Sequence, residues 1–109
     1  MSIINICKDF SDTPGGRYRN EGMFSGEEFR ETILLPAYEK IENTSEKLEI
    51  NFDDCFGFAT SFLEEAFGGL VREHHKMNTL KRYIIISNDD ETIPDLIEKY
   101  ITAAEEELG

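Results

Sequence analysis

Tryptophan is absent from this chain of 109 residues, and cysteine and proline are scarce, at two and three copies. Cys7 and Cys55 follow no framework spacing, which excludes a small scaffold held by several disulfides. Free thiols in a reducing cytoplasm are the simplest expectation. Long apolar runs are missing as well, and no stretch approaches the roughly 18 residues of a membrane span. The opening segment, Met1 to Phe10, has neither the basic start nor the apolar run of a secretory leader. Positive charge is the last shortage: 11 basic residues face 23 acidic ones, for a formal charge of −12. Such a surface repels phosphate backbones and anionic lipid, so the expected partners include neither nucleic acid nor membrane.

What is present fits one ordinary domain spanning residues 1–109. Hydrophobic residues make up 39% and charged residues 31%, and a chain of this length buries roughly 65% of its unfolded surface. Ile3 to Cys7 alternates as a short strand. Pro14-Gly15-Gly16 marks a turn, and Arg17-Tyr18-Arg19 is a candidate second strand completing a hairpin. Ser25-Gly26-Glu27-Glu28 matches a capping box that opens a helix from about Gly26 to Asn43, with Phe29, Ile33, Ala37 and Ile41 on its buried face. Pro36 predicts a kink. Leu48 to Phe52 reads as a strand. A second helix from near Ser61 carries Phe62, Leu63, Ala66, Phe67, Leu70 and Val71 on one face, and Gly68-Gly69 within it predicts close packing of its backbone on a sheet. Tyr83 to Ile86, apolar throughout, predicts a strand covered on both faces. The third helix begins near Thr92 with Pro94 in its first turn. The order is β-β-α-β-α-β-α: an α/β fold with a small, mostly parallel mixed sheet and helices packed on it.

The segment Asp53 to Leu63 holds the candidate functional residues, because it runs from a strand end into a helix that opens with Thr60 and Ser61. Ser61-Phe62-Leu63-Glu64 has the spacing of a second capping box, which gives Ser61 a structural explanation. The same place suits a phosphate, since helix N-termini offer unpaired N–H groups and a positive dipole end. A phosphate there adds about −1.5 to −2 charges beside Asp53, Asp54, Glu64 and Glu65. Phe52 and Phe62 read as core. Phe56 and Phe58, flanking Gly57, read as a plug over the sheet end or, if exposed, as interface anchors. His74-His75 ends the second helix; adjacent helical residues point about 100° apart and rarely share a metal. A Cys55–His75 nucleophile pair lacks an orienting third group. No metal or cofactor is expected.

The chain resembles the STAS-like family, small proteins of unknown function related to STAS domains of sulphate transporters and anti-sigma factor antagonists. The resemblance rests on Pro14-Gly15-Gly16-Arg17, on Ser25-Gly26-Glu27-Glu28-Phe29-Arg30 with Leu34-Leu35-Pro36, and above all on the run from Thr60 to Gly69. In anti-sigma factor antagonists a serine at the start of this helix is phosphorylated by a partner kinase of the histidine-kinase-like ATPase fold. An ungapped alignment lays that Asp-Ser-Ser-Gly motif over Ala59, Thr60, Ser61 and Phe62, so Ala59 replaces the aspartate and Phe62 the glycine.

The resemblance implies a non-enzymatic, cytoplasmic interaction module. Its phospho-acceptor candidates are Thr60 and Ser61, and its partner surface comprises Asp53, Asp54, Phe56, Phe58, Phe62, Glu64 and Glu65. The implied partner is an ATPase or kinase-like regulator. An alternative is a small-ligand sensor for a nucleotide or anion, and a further one is an enzyme using Cys55 with His74 or His75.

Overall fold

The computed structural model describes residues 2–11, 14–55 and 59–109. Three strands form one sheet: β1 (Ser2–Asn5), β2 (Leu48–Asn51) and β3 (Tyr83–Ile86). Their order is β1-β2-β3 and both pairings are parallel. A short helical turn, α1 (Ile6–Asp9), follows β1. Helix α2 runs over residues 26–41 in three stretches: Gly26–Phe29, a π-helical Arg30–Leu34 and Leu35–Ile41. Helix α3 covers 60–74 in the same way, with Thr60–Leu63, a π-helical Glu64–Gly68 and Gly69–His74. Helix α4 is Ile93–Leu108.

Several sequence expectations change. The hairpin strand at 17–19 is absent; this segment bends into a 3-10 turn, Arg19–Glu21, and the sheet is purely parallel. Pro36 does not lie inside a continuous α-helix. The π-helical stretch ends just before it, so Pro36 falls in the first turn of a fresh α-helical register, where its missing N–H costs little. β3 is covered on one face only. Its register places Ile84 beside Glu49 and Ile3, and these face away from the core, with Ile3 59% and Ile84 38% exposed. Two right-handed crossovers in the order β1-β2-β3 carry α2 and α3 to the same side of the sheet, which leaves the other side open.

The core lies between the sheet's covered face and the helices. Ile4, Leu48, Ile50 and Tyr83 meet Phe29, Leu34, Ile41, Phe62, Phe67, Ile97 and Ile101 there. Aromatic rings run through it, with Phe29 against Phe62 at 5.6 Å and Phe67 edge-on to Tyr83 at 5.6 Å. The last carbonyls of α2 are closed by a distant side chain. The Arg82 guanidinium donates to the carbonyls of Ile41, Glu42, Thr44 and Glu46 at 2.6–3.2 Å, which supplies partners for groups a helix end leaves exposed.

Candidate functional site

The C-terminal edge of a parallel sheet is where loops converge, and here three of them meet. After β2 the chain turns through Asp53 and Asp54, the latter at φ 67°, a left-handed value that aspartate tolerates better than most residues. The Asp53 carboxylate accepts hydrogen bonds from the Asn88 and Asp89 backbone N–H groups at 2.7 and 2.9 Å and from Asn88 Nδ2 at 2.8 Å. In return the Asp54 N–H donates to Asp89 Oδ2 at 3.0 Å, and the Asp53 N–H donates to Asn51 Oδ1 at 2.8 Å. These bonds tie the β2–α3 turn to the β3–α4 turn. The Asp89 and Asn88 donors favour the carboxylate and hold the Asp53 pKa below the usual carboxylate range.

Cys7 and Cys55 meet at the same edge. Where free thiols were expected, they form a disulfide with Cα atoms 5.4 Å apart, inside the range the bond requires. The cause is the strand register. Asn5 is paired with Asn51 at the ends of β1 and β2, so the residues just beyond those ends are neighbours although 48 positions separate them.

Helix α3 then opens without a side-chain cap. Its N-cap position is Ala59, and neither Thr60 nor Ser61 serves as a cap. The capping box expected at Ser61 does not form, because the N-cap falls two residues earlier, at Ala59, and Glu64 is engaged elsewhere. Thr60 is exposed and Ser61 half-buried. The box at Ser25 does form a cap: the Glu28 N–H donates to Ser25 Oγ at 3.1 Å, and Glu28 Oε1 accepts from the Phe24 N–H at 3.2 Å.

One turn into α3 lies a feature that sequence reasoning missed. Glu64 accepts from Arg17 and Arg72, and Glu65 from Arg30, so five charged side chains from three segments interlock. Arg30 and Glu65 are both buried. Burial alone would push the Glu64 carboxyl up, but the hydrogen bonds from Arg72 and Arg17 prevail and hold it below its ordinary value. The glycine pair serves this network rather than the sheet. A Cβ on Gly68 would stand 2.9 Å from Glu64 Oε2 and 3.0 Å from Arg72 Nη1, and one on Gly69 would collide with the Arg30 guanidinium. Both π-helical stretches carry network members, Arg30 in α2 and Glu64 and Glu65 in α3, a placement π-bulges often have. A visible signal was present: Glu65 interrupts the apolar face between Phe62 and Ala66, beside two glycines.

The expected partner surface is therefore only partly brought together. Asp54, Thr60 and Ser61 lie near the surface, while Asp53 is occupied by the turn it bridges. Phe62 is fully buried among Phe10 and Phe29 and belongs to the core. Glu65 is buried against Arg30, and Glu64 is spent on the two other arginines. Phe56 and Phe58 lie outside the described residues. Cys55 and the histidines do not form a catalytic pair: Cys55 precedes α3, while His74 ends it, roughly 20 Å further along the helix axis. Cavities of about 250 and 390 Å³ lie away from this edge, one lined by Leu80, Ile101 and Thr102, the other by Ile4, Ile33 and Pro36. Among the described residues no helix is long and apolar enough to cross a membrane.

A small parallel sheet with helices packed on it is an α/β arrangement consistent with the STAS-like fold. Residues 25–94, more than half of the chain, match the family described as STAS-like domain of unknown function, and the chain belongs to that family. No curated protein and no solved structure matches it.

Proposed function

We propose that this chain is a non-enzymatic regulatory interaction module of the cytoplasm, docking through the turn between β2 and α3 on an ATPase or kinase-like protein. Phosphorylation of Thr60 or Ser61 weakens that docking. The observation that carries this reading is the uncapped start of α3. Thr60 and Ser61 sit at a helix N-terminus with no capping task, on a turn held in place by Asp53. A phosphate there is favoured by the helix dipole, while its charge adds to a surface already carrying Asp54. The choice of an ATPase partner rests on the resemblance to anti-sigma factor antagonists. The chain's charge of −12 argues against nucleic acid or anionic membrane as partner.

Phosphopeptide mass spectrometry on protein from its native host, restricted to residues 59–72, tests the modification. Phosphate on Thr60 or Ser61 is expected. Equal binding of the captured partner by Thr60→Ala/Ser61→Ala and Thr60→Glu/Ser61→Glu proteins would refute the switch. The small-ligand alternative has less support, since neither cavity described above opens at this turn.

A further inference from the structure

The disulfide and the candidate turn occupy the same edge of the sheet, and nothing in the proposed phosphorylation switch uses the two sulfurs. Cys55 directly follows Asp54, and its Sγ lies 4.0 Å from the Asp53 carbonyl oxygen. Cys7 belongs to α1, on the neighbouring strand's exit. The bond thus fastens the β2–α3 turn to the β1–α1 turn from one side, while Asp53 fastens it to the β3–α4 turn from the other. Both cysteines are half-buried and not enclosed in the core. In a reducing compartment, protein disulfides are characteristically transient and regulatory rather than permanent staples.

We propose that Cys7 and Cys55 form a reversible thiol–disulfide latch that sets the mobility of the segment from Asp53 to Cys55. In the oxidising direction one protein thiolate attacks a sulfur of a low-molecular-weight disulfide such as oxidised glutathione and displaces one glutathione thiolate. The second protein thiolate then attacks the mixed disulfide and releases the other. Two protein thiols and one oxidised glutathione give one protein disulfide and two reduced glutathiones, with two electrons leaving the protein. Closed, the latch holds Asp53 and Asp54 against Asn88 and Asp89. Open, the turn keeps only its hydrogen bonds. The consequence for docking rests on the proposed function, but the latch itself is read without any partner, so the two fail separately.

The test is equilibration of the full chain in glutathione buffers of graded ratio, followed by acid quench and intact mass. Monomeric dithiol and a form lighter by two hydrogen atoms should exchange reversibly, with both populated in buffers poised between cytosolic and secretory conditions. A chain that stays dithiol in the most oxidising buffer, that stays closed in the most reducing one, or that forms only linked dimers would overturn the latch. Amide exchange of Asp54 and Asp89 is then compared in the two forms, and it should quicken about tenfold or more on reduction. Equal exchange in both forms would overturn control of the turn. Cys7→Ser should match the reduced chain, and if it fails to fold, the reduced wild-type protein supplies the same comparison.

Discussion

Arg30 with Glu65, and Asp53 with Asn88 and Asp89, each join segments far apart in the sequence, yet the first pair is enclosed and the second faces water. Both side chains of the Arg30–Glu65 pair are 5% exposed, and the π-helical turns of α2 and α3 and the Gly69 backbone are shaped around them. The Asp53 cluster lies among exposed residues of two turns. The difference teaches that the same chemistry has two uses here. Enclosed charge fixes how two helices meet, because leaving either partner alone in the interior is costly. Charge in water fixes only which of several accessible turn conformations is occupied, because water replaces any partner that leaves.

The sharpest way to break the comparison is to remove one enclosed partner. Glu65→Ala leaves Arg30 buried without its carboxylate and should cost about 3–5 kcal/mol in urea unfolding, whereas joint replacement by Met at 30 and Leu at 65 should recover most of that loss. A double variant as unstable as the single one would mean that the arginine network, and not the stranded charge, carries the stability. Next in size is Gly26→Ala. Its Cβ would sit 2.6 Å from the Phe62 carbonyl oxygen, backbone that cannot easily yield, and about 1–3 kcal/mol should be lost. Gly68→Ala, which meets mainly the ends of flexible side chains, should cost less in the same denaturation series. Ser25→Ala removes a formed cap and should lose about 1 kcal/mol. Ser61→Ala, where no cap exists, should leave the unfolding midpoint unchanged.

The smallest effect belongs to the water-facing cluster and is read in pH. The folded pKa of Asp53 is depressed, so its contribution is complete above the ordinary aspartate value and is lost as pH falls through the lower folded one. Asp53→Asn should therefore flatten part of the acid limb of a stability–pH profile below about pH 4, its small loss of stability being complete at neutral pH and vanishing in acid. Glu64, depressed through its arginines, has the same sign, and Glu64→Gln should flatten a larger part because its partners are less exposed to solvent.

The same contrast explains what could be read from the chain. The periodic faces of the helices and the strands at 48–51 and 83–86 were legible because burial imposes a spacing, and the capping box at Ser25 was legible because it is local. Arg82 on the end of α2, Asp53 on the β3–α4 turn and Cys7 beside Cys55 were not. Each is a pairing across 35 residues or more, created by the parallel register and not by any nearby motif. Ser61 misled for the opposite reason: its local pattern was right for a cap, but Glu64 was taken by Arg17 and Arg72. Ile84 misled because an apolar run fits a strand buried on both faces, and two crossovers of one hand left this one bare.

The purely parallel sheet has a consequence for the order in which the chain assembles. No strand can meet its neighbour through a hairpin, so Ser2 must wait for Leu48, and Leu48 for Tyr83. Parallel pairing needs a whole helical excursion to come first, and its loop-closure cost falls before any sheet contact repays it. The individual helices depend on nearer parts of the chain and are free to organise early, with the sheet closing last. A newly made chain should thus spend its slowest step with all three strand edges unpaired, which is the interval in which it is most exposed to association with its own copies.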